Sequence, residues 1–402
     1  MKGKDIQRAT DTRGYGVYIC IVWLLEVRRA LIRDDHNAGL TWISKDSGLP
    51  KIVLYNTGDG TILAGSPNGR LDTTNYGGPI GGLTPETLIE SAREVLDIAQ
   101  IAVVNVTTGG PGGASSANAD PDRFLDISMD AHQRLCSDGS DIVGAVMVHG
   151  TNTLADTVFG VDLTLNCSKP FVATGAMRPN SALSADGPSN FYDAVRTAIH
   201  PESRDRGAMI ALNDHLVSAF YATKTNGNTV STFVAPDQGY IAQFMSGQPY
   251  FFYSPTLPKA RNYFDPFKLA SPLPKVDVFY GYQGFDADLL YAAAKNGARG
   301  IVIMGAGPGA LSDAAIKAAE DLHSQGVVTV ASFRPYFGLA VPSPQTEKII
   351  SSGVLRGENA RIQLQLALGA GYDFDGIQKL FEGDVRTAVY NEATTFFNGK
   401  VL

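Results

Sequence analysis

Short apolar runs ending in glycine- and hydroxyl-rich turns, each followed by apolar residues at helical spacing, recur along most of this chain. One block organises the rest. Val146-Met147-Val148 stops at His149-Gly150, Thr151-Asn152-Thr153 follows, and Leu154, Val158, Val161 and Leu165 then recur on one helical face. This pattern predicts a buried strand, a tight turn and a helix N-terminus. In open α/β sheets such strand ends are where ligands bind.

The same reading predicts strands at 51–55, 101–106, 171–174 and 209–212. Helices are expected at 84–98, with Thr84 as N-cap and Pro85 at the first position, and near 127–135. Another is opened by 184–190, where Asp186 and Pro188 suit a helix start, and runs to 199. Strands alternating with helices point to a parallel sheet covered on both faces. Prolines and aromatics interrupt the pattern over 247–275, which predicts a linker whose aromatics pack on something. Alternation then resumes, with strands at 276–280, 300–304 and 327–331 and helices at 286–295, 311–323 and 360–368, before a terminal helical segment. The expected fold is α/β: a larger N-terminal parallel-sheet domain over 49–246, and a smaller C-terminal α/β domain over 276–402. Length agrees, since 402 residues exceed one ordinary core.

Composition adds exclusions. A formal charge of −7 and the lack of a dense Lys/Arg patch with interleaved aromatics argue against a nucleic-acid partner. No apolar run approaches the roughly 20 residues of a membrane helix. Residues 1–48 are expected to form an extension outside the fold, signal-like or disordered. Its apolar stretch 17–25 resembles a signal core, but Glu26-Val27-Arg28-Arg29 stands where a small-residue cleavage site belongs. Cys136 and Cys167 flank the central block, and their spacing is compatible with either a disulfide or two buried thiols. Asn105-Val106-Thr107 and Asn166-Cys167-Ser168 match the glycosylation sequon.

Three polar clusters fall at predicted strand ends: 57–61, 149–153 and 223–225. Two place threonine hydroxyls beside glycines that let backbone N–H groups approach a ligand, and the third supplies Lys224. Threonine needs a neighbouring base or cation to act as a nucleophile, although threonines at turns also cap backbone groups. His149 has no metal-ligand spacing around it and reads as a structural turn residue.

From Lys51 to the C-terminus the chain resembles the bacterial-type L-asparaginases, in their secreted or periplasmic branch. Five ordered motifs carry the resemblance: Thr57-Gly58 with Gly60-Thr61-Ile62, His149-Gly150-Thr151-Asn152-Thr153, Gly175-Ala176-Met177-Arg178-Pro179, Ser184-Ala185-Asp186-Gly187-Pro188 and Thr223-Lys224-Thr225. The resemblance implies hydrolysis of L-asparagine to L-aspartate and ammonia, with no metal or cofactor. It also implies a homotetramer whose sites are completed across a subunit interface. Carried over, Thr61 is the nucleophile and Tyr76 the loop tyrosine that helps activate it. Thr151 and Lys224 form a second hydroxyl–cation group, with the Thr151 N–H as oxyanion donor. Gly60, Ser116, Gly150 and Asn152 are expected at the substrate. The family's secreted members pair cysteines where Cys136 and Cys167 lie, which implies a disulfide and a secretory location, with the cytoplasm as the alternative.

Several positions depart from the family pattern. The nucleophile turn carries an added Asp59, and Asn152 replaces the aspartate that would pair with Lys224 and bind the substrate's α-ammonium. Ser116-Ala117 is the nearest counterpart of a Ser-Gln pair, and Gly284 stands where an asparagine would reach the neighbouring site. Two alternatives follow: an amidase for a substrate without a free α-ammonium, or a non-catalytic homologue.

Overall fold

The computed structural model describes residues 35–74, 84–106, 115–343 and 346–392. Tyr76, the signal-like stretch 17–25 and Thr107 of the first sequon lie outside them.

The first sheet is built from β1 (Trp42–Ile43), β2 (Lys51–Asn56), β3 (Gln100–Asn105), β4 (Ile142–Val148), β5 (Phe171–Thr174), β6 (Ala208–Leu212) and β7 (His215–Ser218). After a small ribbon of β8 (Thr223–Lys224) and β9 (Phe233–Val234), β10 (Ala242–Met245) and β11 (Gln248–Phe251) complete it. Its order is β1-β3-β2-β4-β5-β6-β7-β10-β11. The five strands from β3 to β6 pair in parallel, while β1, β7, β10 and β11 pair antiparallel. The expected parallel sheet is therefore its centre, with antiparallel margins.

Side-chain alternation explains why the central strands read as unbroken apolar runs. Val53 and Tyr55 of β2 and Ala145 and Met147 of β4 enter one core, while Ile52, Leu54, Val146 and Val148 enter the other. Both faces are covered, so both sets of positions must be apolar. Helices α1 (Pro85–Ser91) and α4 (Gly187–Ile199) cover one face; α2 (Arg123–Leu135) and α3 (Leu154–Thr164) cover the other.

The second sheet, β12 (Val276–Tyr280), β13 (Gly300–Gly305), β14 (Val328–Phe333) and β15 (Ile349–Ser351), is wholly parallel. Helices α5 (Asp288–Lys295) and α6 (Asp313–His323) cover one face, and α7 (Gly357–Gly369) and α8 (Phe374–Arg386) the other. The core beneath α3 continues without a break through α7 into this sheet. Asn359 of α7 adds a hydrogen bond to the Phe220 carbonyl at 3.2 Å.

Four local differences from the sequence-based expectation have physical causes. The helix expected over 84–98 ends at Ser91, whose hydroxyl turns back to the Leu88 carbonyl at 2.8 Å, and a 3₁₀ turn, Arg93–Asp97, follows. Trp42–Ile43 falls inside the stretch expected to lie outside the fold, yet it pairs with the free edge of β3. Gln248–Phe251, read as the start of a linker, is a sheet strand whose Pro249 lies in an edge position. The remaining linker is fastened down: Arg261 donates to the buried Asp162 carboxylate at 3.1 Å, and Phe264 N–H to the Leu163 carbonyl at 2.8 Å.

Cys136, at the end of α2, and Cys167, just beyond α3, form a disulfide with Cα atoms 5.6 Å apart. Such bridges persist in oxidising compartments. Among the described residues no helix is long and apolar enough to cross a membrane.

Candidate active site

Strand order determines where the polar motifs meet. From β2 the chain crosses to β3 on one side, then returns to place β4 on the other. The gap between β2 and β4 is thus a topological switch point, where strand-end loops diverge and leave a crevice. Register aligns the ends: Asn56 pairs with Val148, and Val148 with Thr174. The turns beginning at Thr57, His149 and Gly175 therefore leave three neighbouring strands at one level.

Close backbone approach holds the first two turns together. A Cβ added to Gly60 would fall 2.4 Å from the Gly150 Cα, and Gly60 has φ +94°. Both observations require glycine there. Thr61 follows at the start of a 3₁₀ turn, Thr61–Leu63, half-buried, with its hydroxyl donating to the Ala176 carbonyl. The third motif thereby touches the candidate nucleophile directly. Asp186 supports that motif from behind: rather than capping its own helix, its carboxylate accepts Met177 N–H at 2.9 Å and Arg178 N–H at 3.0 Å.

Asp59 joins the turn that carries Thr61 to its neighbour. Its side chain is 1% exposed. Oδ1 accepts Gly150 N–H at 2.7 Å and lies 2.9 Å from the Thr57 hydroxyl, and Oδ2 accepts Arg123 Nη1 at 2.5 Å. Burial opposes its ionisation, but the Arg123 guanidinium and the Gly150 N–H outweigh it and hold its pKa below the ordinary carboxylate value. Sequence reasoning registered Asp59 only as an insertion beside the nucleophile and missed Arg123. A signal for Arg123 was available: a cation in the first turn of a helix opposes the helix dipole and calls for a local partner.

His149 is fully buried, with Nδ1 2.8 Å from the Gly150 carbonyl and Nε2 2.9 Å from the Thr157 hydroxyl. Burial keeps its pKa low, so the neutral ring donates from Nδ1 and accepts at Nε2. It is a turn brace, as expected. Ser116 is another. Its buried hydroxyl donates to the Gly150 carbonyl at 2.9 Å and accepts Thr153 N–H at 3.3 Å. That hydroxyl is committed to the turn.

The hydroxyl–cation group also comes together. Lys224 Nζ lies 3.0 Å from Thr151 Oγ1 and 3.5 Å from Asn152 Oδ1. Burial lowers the Lys224 pKa, and among the described residues no carboxylate pairs with it. Gly150 N–H is taken by Asp59, whereas Thr151 N–H donates to no described residue. Tyr76 is outside the described residues.

Asp59→Asn should destabilise the protein by about 3–5 kcal/mol, because it strips a buried guanidinium of its carboxylate. Urea unfolding of this variant and of an Asp59→Asn/Arg123→Met double variant measures the effect, and the double variant should recover part of the loss. A depressed folded-state pKa contributes stability that is complete above the unfolded value of about 3.9 and fades as pH falls through the folded value. The gap between wild type and Asp59→Asn should therefore narrow below that pH. A single variant within about 0.5 kcal/mol of wild type would remove the clamp from the account.

Comparison with known proteins agrees with this arrangement. Residues 51–257 match the asparaginase N-terminal family model, and residues 275–381 match the glutaminase/asparaginase C-terminal domain. L-asparaginase 2-3 of Saccharomyces cerevisiae is 38% identical over 84% of this chain and 91% of its own length. L-asparaginase 2 of Bacillus subtilis is 38% identical over 84% of this chain and 88% of its own. The crystal structure of a probable cytoplasmic L-asparaginase from Campylobacter jejuni superposes with a TM-score of 0.75 at 32% identity, covering 82% of this chain and 98% of that one. The chain belongs to the asparaginase family.

Proposed function

We propose that this protein hydrolyses the side-chain amide of L-asparagine, giving L-aspartate and ammonia, with Thr61 as nucleophile. One observation carries the reading: the turn that carries Thr61 leaves β2 level with the end of β4, whose own turn carries Thr151, the partner of Lys224. Thr61 Oγ attacks the amide carbon and its proton passes to the leaving nitrogen. The C–N bond breaks, ammonia departs and an acyl-enzyme remains. Water then adds to the ester carbon, one of its protons passes to Thr61 Oγ as that C–O bond breaks, and the acid is released. The Ala176 carbonyl orients the Thr61 hydroxyl but cannot accept its proton, so a base is needed. The family resemblance assigns that part to Tyr76. Thr151 and Lys224 position the water and Thr151 N–H receives the oxyanion, and the family resemblance puts Gly60 and Gly150 beside the substrate.

Asn152 favours a second reading, in which the amide substrate lacks a free α-ammonium. Asn152 offers Lys224 and the substrate a carbonyl oxygen where a carboxylate would add charge. Assembly belongs to the same proposal. Tyr280, Tyr282, Tyr336 and Phe337 are exposed at the carboxyl ends of β12 and β14, with the Arg334 guanidinium 5.4 Å from the Tyr280 ring centroid. Such an aromatic surface suits the interface of a homotetramer whose sites neighbouring subunits complete.

Ammonia release from asparagine, glutamine and simple amides tests the reaction. Asparagine turnover should fall at least 1,000-fold in Thr61→Ala, on the order expected when an activated nucleophile is removed. A folded wild-type protein that turns over none of these amides would sink the proposal. Asn152→Asp separates the two substrate readings. The added carboxylate should raise the lowered Lys224 pKa and move the rising limb of the pH–rate profile to higher pH. It should also reduce KM for asparagine by about fivefold, the worth of about 1 kcal/mol from a charge-assisted hydrogen bond. An unchanged KM would favour the substrate without an ammonium. Light scattering should give four times the chain mass, and a monomer with full activity would refute sites shared between subunits.

A further inference from the structure

On the sheet face covered by α4, a cavity of about 410 Å³ opens between α4, the Arg93–Asp97 turn and two hairpin tips. Both tips are tight two-residue turns with φ above zero: Asn213-Asp214 between β6 and β7, and Ser246-Gly247 between β10 and β11. They are also anchored. Asn190 of α4 accepts Asn213 N–H at 2.9 Å, and a Cβ at Gly247 would fall 2.7 Å from a Tyr192 ring carbon. The walls are therefore preformed.

Charge inside the cavity is of one sign. Its lining holds three carboxylates, Glu94, Asp193 and Asp214, and no lysine, arginine or histidine. Glu94 and Asp214 are exposed at the rim, whereas Asp193 is 3% exposed. Among the described residues the Asp193 side chain has no hydrogen-bond or ion-pair partner. The other buried aspartates described above, Asp59 and Asp162, each have an arginine and a backbone N–H. A carboxylate this deeply buried normally has such partners, because an unpaired one is costly. Burial and the nearby Asp214 charge push its pKa up to about 7. The remaining wall is partly apolar, with Tyr192 and Phe244 beside Pro188.

We propose that this cavity is a binding site for a small organic ammonium ion, whose N–H groups pair with Asp193 and whose carbon stem lies along Tyr192 and Phe244. An ammonium supplies both what Asp193 lacks, positive charge and hydrogen-bond donors. The aromatic faces attract the same cation. A bare metal ion fits less well: among the described residues no group of three metal-ligating side chains converges anywhere.

Isothermal titration at pH 8, where Asp193 is largely ionised, provides the test. The probes are n-butylammonium and putrescine, with potassium chloride at matched ionic strength as the control. At least one amine should bind saturably, and Asp193→Asn should weaken that binding at least tenfold while leaving asparagine turnover unchanged. Asp214→Asn, which the hairpin turn tolerates, should weaken it several-fold and serves as the arm if Asp193→Asn does not fold. Three results would overturn the proposal: no saturable binding of either amine, equal binding of potassium, or full affinity retained in both variants.

Discussion

The Asp59 carboxylate is the contact on which the candidate site most depends. Two turns that leave different strands must be held a few ångströms apart, with backbone nearly touching backbone at Gly60 and Gly150. Glycines permit that approach but cannot enforce it. Enforcement comes from a buried acid on one turn accepting the N–H of the other, with Arg123 delivering the compensating charge from α2. A lone buried carboxylate would be expelled or neutralised; one with a guanidinium and two further polar contacts stays ionised and rigid. Asp59 thus braces the turn that carries Thr61 against its neighbour.

Around this contact the larger structure has two tasks. The switch in strand order opens a crevice at the carboxyl ends of β2 and β4, and parallel register keeps the flanking turns level. The packing of α3 against α7 then ties the helix that follows the His149–Thr153 turn to the second domain. The turn is therefore held at both ends, by a strand in one sheet and by a helix wedged between two.

Electrostatics at the far side of the crevice differ. Lys224 is half-buried, paired with a hydroxyl and an amide rather than an acid, and burial lowers its pKa. Asp59 is paired with a guanidinium, whereas Lys224 is paired only with neutral groups. The first arrangement is suited to holding geometry.

Much of this was legible in the residues themselves. Apolar runs without alternation marked strands buried on both faces, and threonines, glycines and a lysine after those runs marked the strand ends that matter. Local composition also placed Thr84 as a cap and His149 as a turn brace, because capping and neutral-ring hydrogen bonds are short-range. What it could not decide depends on partners distant in sequence. Pro249 looked like linker punctuation, but an edge strand tolerates it once β10 lies alongside. Trp42 and Ile43 became a strand only because β3 presents a free edge. The Ser116 hydroxyl finds the Gly150 carbonyl, 34 residues away, only across the fold. Asp59 read only as an insertion because the guanidinium that neutralises it lies 64 residues away, and the amide it accepts 91 residues away. Whether a buried charge disrupts or holds a site is set by what the fold places beside it.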